Sequence, residues 1–226
     1  MKKFVVILLT MFFSSISMAH IGHYNNFDKI EMEILRNDEV IGYNNYYFKR
    51  DGETTIVKNQ YKFDVKLLSA TIFKVEGYGE EIYFKDTLIS FQSKTLQNKK
   101  EKFVNLKLDK NSKKFDIKGS SYSGEASLKN VIGNWWSHKI LQAESQISPI
   151  SGSIKGQIVT FIGKENISIN GKKYETDHFK LTSKDMFLPE DKKLNFDIWL
   201  DKKTSIILKV TYKRMGNWEY RLKNFD

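Results

Sequence analysis

From Thr54 to Leu67 the chain alternates without a break. Tyr61, Phe63, Val65 and Leu67 fall on one side of an extended backbone, and Lys58, Gln60, Lys62, Asp64 and Lys66 fall on the other. A period of two sustained over that length fits no helix; it describes an antiparallel strand buried on one face and wet on the other. Strands so long and so one-sided imply a strongly bent sheet or a barrel.

The same pattern recurs through the chain. Ile30, Met32 and Ile34 alternate with Lys29, Glu31 and Glu33, and 40–49 is rich in Tyr and Phe. Further alternating stretches cover 71–75, 82–85, 88–96, 102–109, 115–118 and 122–128, then 154–162, 166–169, 172–182, 194–200, 206–212 and 218–222. Asn37-Asp38, Asp51-Gly52 and Asn170-Gly171 are hairpin turn signals, and Gly77 with Gly79 reads as a bulge or bend. The expected fold is all-β: a long, curved, mostly antiparallel sheet or half-open barrel of about a dozen or more strands.

One stretch breaks the alternation. Residues 131–153, VIGNWWSHKILQAESQISPISGS, carry the pair Trp135 and Trp136, His138 and Pro149. Ser137 suits an N-cap, and Trp136, Ile140 and Ala143 fall at i, i+4 and i+7, which predicts one short helical crossover near 137–145 lying on the sheet. Trp135, Trp136 and His138 are the candidate ligand-binding residues. The tryptophans admit three roles: core anchors, the rim of an apolar cavity, or a platform for a sugar.

The amino terminus bounds the compartment. Lys2-Lys3, an apolar run over 4–13 and small residues up to Ala19 read as a secretory signal peptide over 1–19, leaving 20–226 as a single β domain. That apolar run is shorter than the roughly 20 residues a membrane span needs, and no transmembrane segment is expected elsewhere. Cysteine is absent, so neither a disulfide framework nor a lipoprotein anchor is expected, and the core alone must hold the fold. The localisation that follows is periplasmic and soluble. A net charge of +10 suits anionic lipid head groups or acidic glycans, though lysines on the wet faces of strands account for most of it. Nucleic acid is a poor partner for an exported chain.

Chemistry is scarce. His20 would head the processed chain, where its amine and ring could chelate copper with His23, His138 or His178, but no cluster at ligand spacing accompanies it and no metal site is expected. No nucleophile motif is present, and Gly119 to Gly124 reads as a turn. Glu80 and Glu81 are neighbours in a strand and point to opposite faces, so they cannot flank one bond and are expected to be solvated. No catalytic residue and no cofactor are expected.

Several segments together resemble a family of exported bacterial proteins described as a domain of unknown function. They are Ile41-Gly42-Tyr43, the run from Glu81 to Phe91, Trp136 with Ser148-Pro149-Ile150, Phe196 to Asp201, and Gly216-Asn217-Trp218-Glu219-Tyr220. The resemblance implies kinship with periplasmic proteins that have long curved sheets, a shape shared with carriers of lipoproteins and lipids; it implies no reaction. The expected function is a non-enzymatic carrier or sequestering scaffold for a lipid or other amphipathic ligand. The alternative is an interaction protein that docks by a basic face to another envelope protein.

Overall fold

A computed structural model describes residues 24, 26–68 and 70–226, without the side chain of Leu67. The expected signal peptide, His20 and His23 lie outside the described residues. Fifteen strands form among those described. The first eight are β1 (Lys29–Arg36), β2 (Glu39–Asp51), β3 (Thr54–Leu67), β4 (Ala70–Phe84), β5 (Thr87–Gln97), β6 (Lys100–Asp109), β7 (Lys114–Gly119) and β8 (Ser123–Ser127). After the crossover strands β9 (Val131–Ile132) and β10 (Ser145–Ile147) come β11 (Ile154–Ile169), β12 (Lys172–Ser183), β13 (Asn195–Asp201), β14 (Ile207–Lys213) and β15 (Asn217–Phe225).

All fifteen join one sheet in the order β8-β7-β6-β5-β4-β3-β2-β1-β15-β14-β13-β12-β11-β10-β9. Two meanders thus run outward from a central seam where β1 pairs antiparallel with β15, and only the short β9–β10 pair is parallel. Short hairpins explain the meanders. Asn37 and Asp38 both take positive φ, as do Asn170 and Gly171, the geometry that matches the twist of flanking strands.

Bulges at Glu31/Met32, Ile34/Leu35, Val65/Lys66, Ile82/Tyr83 and Trp199/Leu200 add local twist, and the sheet curls. The glycines expected to bend β4 do not break it: the strand runs through both. Gly77 instead makes room for a ring, because a Cβ there would lie 2.5 Å from Tyr61 Cζ.

The curl gives the molecule a concave interior with two unlike ends. At one end sit the β1–β2, β3–β4, β5–β6, β12–β13 and β14–β15 turns; at the other, the β2–β3, β4–β5, β11–β12 and β13–β14 turns. Residues 131–153 lie inside. Trp136 packs against Tyr24, Phe48 of β2 and Tyr83 of β4, while Trp135 packs against Phe196 of β13 and Tyr220 of β15. Touching strands from both meanders, the Trp pair is what the sheet wraps around.

The crossover is less helical than its periodicity predicts. Ser137 caps as expected, accepting from the Lys139 N–H, but only a single 3-10 turn forms, over His138–Leu141. The chain then leaves the helical path because Gln157 takes the carbonyls of Ile140 and Ala143, and Gln146 bonds Gln157, drawing β10 onto β11.

Candidate functional site

One end of the interior is closed. Tyr24 donates to the Ser205 carbonyl and shares a hydrogen bond with the His138 ring, and Arg50 binds the Tyr24 and Phe27 carbonyls from β2. Trp136 is fully buried, and Trp135 and His138 nearly so. Of the three roles open to the tryptophans, the core anchor describes their geometry.

Against this plug, on β4, lies a carboxylate that sequence reasoning placed in solvent. Glu81 is 2% exposed. Its Oε1 accepts from Trp136 Nε1 at 3.0 Å and Asn134 Nδ2 at 2.7 Å, and Tyr83 Oη donates to Oε2. Glu80 does point the other way, as alternation requires, and pairs at the surface with Lys58. The dry face of β4 is the one that carries its odd-numbered residues, so Glu81 points inward and meets the crossover. Burial pushes its pKa up to about 7, against the pull of the bonds from Tyr83, Trp136 and Asn134 and the charge of Lys139. Lys139 is itself pulled down by burial and donates to the Asp86 carbonyl. The carboxylate braces wall to plug.

The other end of the interior is open. A cleft of about 390 Å3 is lined by Tyr61, Phe63, Val65, Phe73, Val75, Ile150, Tyr212, Trp218 and Tyr220, with Arg36 and Arg214 among its residues. That volume falls within the roughly 300–1,000 Å3 of small-molecule sites. Phe63 meets Trp218 edge to face at 5.4 Å, and Trp218 stacks on Tyr212 at 5.7 Å. The sequence places Tyr61 and Phe63 in the core; the structure leaves both half-buried, because they face this cleft and not a close-packed neighbour. Of the outward lysines expected to be exposed, Lys58 and Lys66 are, while Lys62 is half-buried and pairs with Glu76.

Polar groups in the cleft are few and mostly uncharged. Tyr61 Oη and Thr95 Oγ1 share a 2.6 Å hydrogen bond, and burial raises the pKa of Tyr61, Tyr212 and Tyr220, the last to about 12. The two arginines of the cleft differ from the other two of the chain. Arg50 pairs with Asp28, and Arg221 with Glu33 and Glu219. Arg36 and Arg214 have no carboxylate partner among the described residues; Arg36 donates to the Met215 carbonyl and so is held at the cleft. Their field is felt nearby, since Lys155 is pulled down first by burial and then by the Arg214 charge.

None of Trp135, Trp136 and His138 lines this cleft, although Trp135 supports Tyr220 from behind at 6.1 Å. Larger hollows of about 590 and 640 Å3 lie among outward-facing Lys180, Asp197 and Glu219, and among Gln60, Gln92, Lys94 and Lys102. Their walls are mixed: the first also carries Tyr212 and Trp218, and the second Tyr43, Tyr78, Leu96 and Phe103, but both bear more charged and amide side chains than the interior cleft. His178, a copper candidate by sequence, lies on β12 with Nδ1 2.8 Å from Glu165 and Nε2 3.1 Å from Asp197, stacked on Trp199. Among the described residues no group of three or more His, Cys, Asp or Glu is placed to hold a metal ion, and no helix is long and apolar enough to cross a membrane.

Residues 32–223 match a family described as a domain of unknown function (DUF6134). Among solved structures, the chain is similar to a beta-barrel-like protein of domain of unknown function DUF1849 from Brucella abortus. That likeness has a TM-score of 0.59 at 12% identity, and covers 88% of this chain and 96% of that one. At such identity the likeness is one of fold. No curated protein matches the chain.

Proposed function

We propose that this chain, which belongs to the family described as a domain of unknown function (DUF6134), binds a single-chain anionic amphiphile in the open end of its rolled sheet. The observation that carries the proposal is the pairing of an apolar interior cleft with two arginines that no carboxylate among the described residues neutralises. Hydrocarbon would lie against Phe63, Val65, Phe73, Val75 and Trp218, where aromatic and branched side chains offer an apolar wall. A carboxylate or phosphate head would sit at the mouth on Arg36 and Arg214, since guanidinium forks suit both.

The role is binding, not turnover, and the setting is the periplasm, in keeping with the signal-like residues 1–19. The crossover is a plug that supplies Ile150 to the cleft, and the ligand enters from the far side of it.

Fluorescence titration tests this. Dodecanoate should quench Trp218 saturably, a loss that Trp218→Phe removes, and the uncharged dodecanoyl glycerol should bind more weakly. Arg36→Gln with Arg214→Gln should erase the preference for the acid while leaving binding of the glyceride in place. Absence of saturable binding by either amphiphile would refute the proposal.

A further inference from the structure

Large apolar side chains are common on protein surfaces, and singly they need no explanation. Here their distribution is uneven. Leu68 is 95% exposed, Met186 70%, Phe187 98% and Met215 87%, whereas the next most exposed large hydrophobic residue among those described reaches only 56%. All four lie at the open end. Leu68 is in the β3–β4 turn, Met186 and Phe187 in the β12–β13 loop, and Met215 in the β14–β15 turn. Met215 itself lines the interior cleft, and Met186 lines a hollow shared with Tyr212 and Arg214 beside it.

Backbone conformation sharpens the contrast. Leu68 and Met215 occupy the left-handed region, at φ of 49° and 50°, where Asn or Gly costs least. The chain uses Asn at such positions elsewhere: Asn37, Asn98 and Asn170. At the closed end every non-glycine residue with positive φ is polar, namely Lys85, Lys113, Asn170 and Ser205. Two apolar residues are therefore held in an unfavourable conformation, at full exposure, only around the mouth. Strain of this kind marks sites retained for a purpose.

Cations accompany the tips. Exposed Lys66 precedes Leu68 by two positions, exposed Lys184 precedes Met186 by two, and exposed Lys213 and Arg214 immediately precede Met215. The one carboxylate inside these runs, Asp185, is engaged locally, accepting the Phe187 N–H at 2.9 Å. An apolar tip with a cation just behind it is the arrangement that enters the head-group layer of an anionic bilayer: the tip reaches the acyl boundary and the cation stays at the phosphates. A protein partner would instead favour one contiguous complementary patch. Three separate projections around an opening offer no such patch, but a fluid lipid surface can meet them all.

The geometry points to the open end as a membrane-docking rim, with Leu68, Met186, Phe187 and Met215 inserting into an anionic lipid surface so that the cleft mouth faces the bilayer. This surface shares Met215 and Arg214 with the interior site but stands even if the cleft binds nothing.

Vesicle co-sedimentation tests it, using the chain from His20 onward because residues 4–13 would partition into lipid by themselves; the whole sheet, Lys29 to Phe225, lies within that chain. Vesicles of phosphatidylethanolamine with phosphatidylglycerol should bind the protein about ten-fold or more tightly than vesicles of phosphatidylcholine alone. The combined variant Leu68→Ser, Met186→Ser and Phe187→Ser, which leaves the cleft lining intact, should lose most of that binding while keeping its melting temperature, since these tips are largely exposed. The interior reading is scored separately, by dodecanoate titration of the same variant in solution. Failure of the parent chain to bind either vesicle, equal binding to both, or full binding by the variant would overturn the rim. The first of these would leave the tips to a protein partner.

Discussion

Replacing Glu81 by Gln should make the protein more stable at neutral pH and leave it unchanged in mild acid. The carboxyl titrates at about 7 when folded, against a reference value of 4.5. Between those values the folded chain keeps a proton that the unfolded chain releases, so stability falls as pH rises. The contribution is whole below 4.5 and is gone above the folded value. At roughly 1.4 kcal/mol per pH unit, the full effect is about 3 kcal/mol.

Gln copies the protonated form. Its carbonyl can still accept from Trp136 and Asn134, and its amide can donate to Tyr83 Oη in place of the acid proton. Urea unfolding at a series of pH values from about 4.5 to about 8 would read the effect as a midpoint shift at constant slope. The parent profile should fall across that range more steeply than the variant profile, with the two meeting at the acid end. Parallel profiles would refute the reasoning. So would a variant less stable than the parent at the alkaline end, which would mean that three donors and Lys139 hold an ionised carboxylate in the plug.

Two other substitutions probe the two ends of the interior. Trp136→Ala, which empties the centre of the closed end and removes a donor to Glu81, should cost about 3–5 kcal/mol in urea unfolding; a cost under about 1 kcal/mol would show that the sheet does not depend on its plug. Gly77→Ala should displace the Tyr61 ring and break its bond to Thr95, costing about 1–3 kcal/mol and weakening dodecanoate binding, and unchanged affinity would place the ligand elsewhere.

The sheet was legible in the sequence because burial on one face writes a period of two, and Thr54–Leu67 carries it without interruption. Hairpins at Asn37-Asp38 and Asn170-Gly171 were legible because positive φ selects those residues. Glu81 was not. Alternation assigns a residue to a face, but nothing local says that a tryptophan and an asparagine more than fifty positions away will arrive to satisfy a carboxylate there. Gly77 was misread for a related reason, since what it accommodates is a cross-strand ring and not a bend. The crossover followed its helical period for only one turn, because Gln157 competes for its carbonyls from β11. The tips at Leu68, Met186, Phe187 and Met215 look like ordinary apolar residues in sequence, and only topology shows that they share an end.

Strand number explains why such a sheet has an unfilled end at all. About eight strands close around a space that inward side chains just fill, and the diameter grows with every strand added. The thirteen strands outside residues 131–153 enclose more than their own side chains can occupy. Residues 131–153 fill one end, and the cost of doing so shows in the polar groups they carry inside: Asn134, Gln146 and the backbone of Trp135 each need a partner from the walls, and Glu81, Gln157 and Tyr46 supply them. Extending that plug to the other end would require more such pairs. In their place the chain has Phe63, Val75 and Trp218 around open space and two unneutralised arginines at the opening. An interior left apolar and accessible loses packing energy that a closed core would recover. A ligand that enters there regains it, which is why the closed end should set the stability of this protein and the open end its occupancy.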